Sequence, residues 1–155
     1  HLLKRLREAP ELRERVERLR TIGGVGEVMA LTWALEIVDP HRFSSIGQAQ
    51  SYCGLTSALK SSANKEQRGP ISKQRNAHLQ TTLIEIAKLA PRWNPPLAAV
   101  HAKELERGHR NRATLAVARK LVAYLLAVDK SGQPFQVRGE AGTEAEAEVE
   151  QKTAA

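Results

Sequence analysis

Apolar residues recur at helical spacing through most of this chain, and each periodic run is bounded by residues that start or stop helices. In residues 2–20, dense in Leu, Arg and Glu, Leu12, Val16 and Leu19 share one face. Arg13, Glu14, Arg15, Glu17 and Arg18 lie mostly away from it, and Pro10 suits the first turn of a helix. The next run, EVMALTWALEIV from Glu27, carries Val28, Met29, Leu31, Trp33, Leu35, Ile37 and Val38, so it predicts a helix buried on nearly all sides. Asp39-Pro40 stops it, with Asp39 as a turn or cap residue. Ser45 is the expected N-cap of a short helix that Gly54 ends.

Asn76 is placed to cap a helix whose stripe is Leu79, Leu83, Ile86 and Leu89 or Ala90, ended by Pro91. Asn94-Pro95 restarts the chain with a cap and a proline at the first helical position, as far as Gly108. The run from His109 to Val128 is the longest apolar helix and the expected core of the C-terminal half. From Lys130, Gly, Pro and Glu predict a linker and a disordered acidic tail. The pattern as a whole predicts an all-α fold. With 155 residues and 4% aromatics, it reads as one helical domain with an aliphatic core.

Two stretches break the helical pattern. Thr21–Gly26 holds three glycines, Gly23, Gly24 and Gly26, between two helices. That arrangement is a helix-hairpin-helix pattern, whose turn amides and following helix N-terminus can meet a DNA phosphate; it is also an ordinary way to end a helix. The second break, Gly54–Asn76, is a polar loop with Ser57, Ser61, Ser62 and Ser72 among Lys60, Lys65, Arg68, Lys73 and Arg75. Such a loop is either a solvated surface or a phosphate-contacting segment that carries a nucleophilic serine.

Charge sharpens the second alternative. The chain carries a net +7, and the five glutamates after Arg138 set against Lys152 leave +11 on the remainder. A body that basic points to a polyanionic partner, most often nucleic acid. The single cysteine, Cys53, excludes an internal disulfide, fits a reducing cytoplasm, and reads as a small buried residue rather than a nucleophile. His41, His78, His101 and His109 have no metal-ligand spacing, so no metal is expected in this segment. No apolar run approaches a bilayer span. The chain opens on His1 and reads as a piece of a longer protein.

Five stretches in one order, IGGVGEVMALTWALEI, DPHRFSSIGQAQSYCGL, SSANKEQRGPISKQRNAHLQ, NPPLAAV and ATLAVARKLV, resemble the C-terminal domain of insertion-sequence transposases of the IS110 type, to which pilin-gene invertases are related. The resemblance covers roughly residues 19–128. It implies a serine-dependent recombinase divided between this domain and an N-terminal RuvC-like domain holding four acidic ligands and Mg²⁺. Residues 1–20 are then a helical lead-in from that missing domain, 21–129 the transposase C-terminal domain, and 130–155 the linker and tail. It further implies DNA as partner, a structured guide RNA for the full-length protein, a homo-oligomer, and a phosphoserine intermediate.

Aligned on the family's serine-glycine step and its basic RG-I-[ST]-K segment, the nucleophile falls on Ser62, with Ser61 as runner-up. Lys65, Arg68 and Lys73 stand ready to stabilise phosphoryl charge. Lys60 and Arg75 join Gly23, Gly24 and Gly26 as expected DNA contacts. The chain departs from the family with Ala63 and Arg75 where glycine is usual. Without the acidic domain, the fragment alone is expected to be inert. Two further readings are a non-catalytic helix-hairpin-helix module that binds nucleic acid, and a helical domain whose basic charge serves an acidic protein partner.

Overall fold

A computed structural model describes residues 8–62, 65–71 and 76–136, with the backbone alone over 57–71. The last residues of the expected acidic tail, 137–155, lie outside the described part, as do Lys73 and Arg75.

The fold is helical, as the pattern predicts. Among the described residues, five α-helices follow in order: α1 Pro10–Leu19, α2 Glu27–Ile37, α3 Ile46–Tyr52, α4 Ala77–Leu89 and α5 Pro95–Glu106, and a sixth, α6, spans Arg110–Ser131. Short 3₁₀ turns at Pro40–Arg42 and Ala90–Arg92 join α2 to α3 and α4 to α5. The expected caps form. Ser45 Oγ accepts from the Gln48 amide while Gln48 Oε1 accepts from the Ser44 amide, and Asn76 and Asn94 accept from the amides of Leu79 and Leu97. Asp39 accepts from the His41 amide, which settles it as a turn residue.

Helix α6 is the hub of the whole domain, not of its C-terminal half alone: α1, α3, α4 and α5 all pack on it. Val117, Ala118, Leu121, Val122, Leu125 and Leu126 form its buried side. The longest apolar helix becomes the hub because it alone offers buried positions over its full length. Its end is a glycine cap, Gly132 at φ 65°, and the chain then turns back. Phe135 packs on Tyr124 at 4.8 Å between ring centroids, and its amide donates to Thr21 Oγ1. The stretch expected as linker from Lys130 thus begins as the last two residues of α6, and Phe135 beyond the cap is held against the domain.

The expectation for α2 needs one correction. Met29, Ala30, Leu31, Trp33, Ala34 and Ile37 are buried, but Val28 is 75% exposed and Leu35 41%, so one side of the helix is open. On α4 the buried row is Leu79, Leu83, Ala87 and Ala90; Ile86 is half-buried and Leu89 exposed. Ala90 at the end of this row faces Gly24 of the glycine turn.

Where a basic loop was expected, the backbone forms a two-stranded antiparallel hairpin, β1 Ser57–Ser62 and β2 Lys65–Ile71. Ser57 pairs with Ile71 and Leu59 with Arg68, so Gly69 and Pro70 together stand opposite Ala58. That is a bulge, and the residues explain it: proline has no N–H to give to a ladder and glycine tolerates the local bend. Serines and lysines lack the alternating apolar pattern that announces a strand, which is why this pairing is not visible in the composition.

Candidate nucleic-acid interface

The hairpin rises from a foot that is held on both sides. On the entering side, Gly54 takes φ 71° and Leu55 is fully buried. Gln80 Nε2 of α4 donates to the Gly54 carbonyl at 2.9 Å, and Arg119 Nε of α6 donates to the Leu55 carbonyl at 2.7 Å. Gln50 Nε2 donates in turn to the Arg119 carbonyl. On the leaving side, the Asn76 amide donates to the Tyr52 carbonyl at 3.0 Å. Arg119, which reads in sequence as an interruption of an apolar helix, is therefore a clamp on the strand that carries the serines.

Glu36 completes the foot. Asn76 Nδ2 donates to its Oε2 at 2.7 Å, and His78 Nδ1 lies 3.2 Å from its Oε1. The hydrogen bond from Asn76, followed by that from His78, holds the Glu36 carboxyl below the usual carboxylate range. Asn76 thus uses its oxygen to cap α4 and its nitrogen to fix Glu36. Neither residue's partner is adjacent in sequence, so only the packing of α2 against α4 brings them together.

Within the hairpin, Ser62 ends β1 opposite Lys65, and Ser61 stands opposite Glu66. Lys60 pairs with Gln67, and Arg68 with Leu59. Ala63, the position where the family usually has glycine, lies outside the described residues.

The three glycines divide into two kinds. A Cβ on Gly23 would meet the Trp93 carbonyl oxygen at 2.4 Å, and one on Gly24, at φ 91°, would meet Ala90 at 2.8 Å. Asn94 Nδ2 donates to the Gly23 carbonyl as well. Gly23 and Gly24 are thereby committed to close backbone approach with the Ala90–Asn94 turn. Gly26 has open space around it and stands as the N-cap of α2. Gly26 is exposed, while Gly23 and Gly24 are half-buried. Glu27, in the first turn of α2, lines a groove with Arg13 and Arg20.

Cys53 is buried, and burial pushes its thiol up to about 12. It is unfit for nucleophilic work and packs as a small apolar residue. Among the described residues, no group of three or more His, Cys, Asp or Glu side chains is close enough to hold a metal ion. None of the described helices is long and apolar enough to cross a membrane.

A model of the transposase IS116/IS110/IS902 family matches residues 16–102, more than half of the chain. The chain belongs to this family. Over 119 residues it is 34% identical to the transposase for insertion sequence element IS1111A of Coxiella burnetii, covering 74% of the chain and 33% of that relative. Over 69 residues it is 36% identical to a Sinorhizobium fredii protein named "Putative transposase y4qE", covering 44% of the chain and 18% of the relative. The chain thus spans about a third or less of the length of these transposases. The stretch matched to the transposase family includes the glycine turn, the hairpin and most of its foot, while α6, which supplies Arg119 to that foot, lies beyond it.

Proposed function

We propose that this is the DNA-binding and strand-joining domain of a serine-dependent, RNA-guided insertion-sequence transposase, with Ser62 as the nucleophile. The observation that carries the choice of serine is the hairpin register. Ser62 has a lysine, Lys65, across the ladder, whereas Ser61 has a glutamate, Glu66. Residues directly opposite in an antiparallel pair have Cα atoms about 5 Å apart. A lysine paired with the serine suits the charge that builds on phosphate oxygens; a paired glutamate opposes it.

In the proposed step, Ser62 Oγ attacks a DNA phosphorus and loses its proton to a base. The Oγ–P bond forms, the bond from phosphorus to one sugar oxygen breaks, and that oxygen leaves as a hydroxyl after taking up a proton. The second hydroxyl to arrive attacks the phosphoserine and regenerates Ser62, so the bond energy is kept and no ATP is consumed. The base and Mg²⁺ belong, in this reading, to a RuvC-like domain of the full-length protein, which works as an oligomer with its guide RNA. Lys60, Arg68, Lys73 and Arg75 hold the strand. Gly26 and the N-terminus of α2 meet a phosphate nearby.

The test uses the full-length protein with its element ends and guide RNA. Ser62→Ala should abolish both joining and the covalent protein–DNA adduct while DNA binding persists. Normal joining by this variant would end the case for Ser62. A second reading, a module that binds nucleic acid without chemistry, is favoured by the open Gly26 turn; it requires that no single serine substitution in the hairpin affects joining.

A further inference from the structure

The chain has two tryptophans, and the structure treats them oppositely. Trp33 is fully buried with its Nε1 donating to Asp129, while Trp93 is 70% exposed. A ring of that size left in water is uncommon and asks for a partner. Its position is well fixed. The Trp93 amide donates to the Ala90 carbonyl, its own carbonyl lies against Gly23, and Asn94 beside it is buried and bonded to the Gly23 carbonyl. The exposed ring is therefore mounted on the backbone of the glycine turn.

The chemistry of the surroundings selects the partner. From Ile86 through Lys103 the sequence has no acidic residue and includes Lys88, Arg92, His101 and Lys103. Arg92, next to the ring, is exposed and holds no ion pair among the described residues. An exposed aromatic ring, with an exposed and unpaired arginine as its neighbour in the chain, suits a base with its phosphate.

We propose that Trp93 is a stacking platform for an unpaired base of the bound nucleic acid, carried on the turn that packs against Gly23 and Gly24. The proposal rests on the nucleic-acid reading above. In a duplex the bases are already stacked on each other, so the ring favours a single strand or a base freed at a strand opening.

The buried Trp33 makes the test selective. The intact chain is titrated with a single-stranded oligonucleotide and with the matching duplex at low salt, following tryptophan emission and, separately, affinity. The single strand should quench the emission, and Trp93→Phe, which leaves Trp33 as the sole emitter, should remove that quench. Trp93→Ala should weaken single-strand binding about five- to a hundredfold and duplex binding by much less. Binding that leaves the emission unchanged, or a Trp93→Ala chain that binds single strands as the parent does, overturns the stacking role and leaves the nucleic-acid reading standing. A parent chain that binds neither nucleic acid overturns both. Unchanged Trp33 emission in the variants shows that they remain folded.

Discussion

Arg15 and Asp129 meet across 114 residues of chain through two parallel hydrogen bonds, Nε to Oδ1 and a terminal nitrogen to Oδ2, each 2.7 Å long. Trp33 Nε1 adds a third bond to Oδ2 at 2.9 Å, and Arg15 also reaches the Val38 carbonyl at 2.7 Å. One carboxylate thereby joins α1, α2 and α6. The Asp129 side chain is 2% exposed and that of Arg15 17%. A pair this well buried and bidentate holds three helices in one relative position.

Asp129→Ala leaves the guanidinium and the indole N–H without their acceptor. It should lower stability by about 3–5 kcal/mol, the range for breaking one side of a buried pair. Replacing both partners, as in Arg15→Met with Asp129→Leu, should recover a good part of the loss. Chemical denaturation of the two variants measures both effects; equal stability losses would show that the pair itself matters little.

The glycines should sort by their surroundings. Gly23→Ala and Gly24→Ala force a Cβ into the Ala90–Asn94 turn and should each cost about 1–3 kcal/mol. Gly24 carries the added strain of φ 91°. Gly26→Ala meets open space and should cost less than about 1 kcal/mol. Thermal melts of the three chains decide it, and a Gly26→Ala melt as low as that of Gly23→Ala would contradict the packing.

Glu36 predicts a specific pH dependence. Its carboxyl is held below the ordinary 4.5 by Asn76 and His78. A depressed folded-state carboxyl contributes stability that is present above the unfolded value and lost as pH falls through the folded one. Glu36→Gln should therefore flatten the fall of the melting temperature below about pH 4.5. Melts across pH 3–7 test this, and an unchanged acid limb in the variant would remove Glu36 from that role.

Cys53 should be silent towards thiol reagents. With a thiol near 12, only about one molecule in ten thousand is a thiolate at pH 8, and burial blocks access besides. Labelling by a maleimide should be far slower in the native chain than in denaturant. Cys53→Ala should fold; rapid native labelling would mean that α3 opens readily.

Clamping by Arg119 gives a prediction that separates positioning from charge. Arg119→Lys keeps the cation but loses the Nε bond to the Leu55 carbonyl. It should reduce joining in the full-length protein while leaving the salt dependence of DNA binding unaltered. By contrast, Lys65→Gln should lower the slope of log affinity against log salt by about 1. A joining rate equal to that of the parent in Arg119→Lys would show that the hairpin foot needs no such clamp.

Much of this domain is determined within short windows of sequence. Helical periodicity and the caps Ser45, Asn76 and Asn94 set where helices begin, because each cap bonds to an amide three residues on. The order of motifs was enough to assign the family. Tertiary structure alone decided what the charged and polar interruptions do. Arg15 with Asp129, Arg119 with Leu55, and Glu36 with Asn76 are pairs between distant segments, so no periodicity or spacing announces them. The serine-rich strands lack apolar alternation, and only their pairing sets Ser62 opposite Lys65. Gly23 and Gly24 read in sequence as turn glycines, and only the fold shows the Ala90–Asn94 turn packed beside them. Local conformational preference is encoded locally; which groups meet depends on how the helices pack, and α6 is the element on which that packing turns.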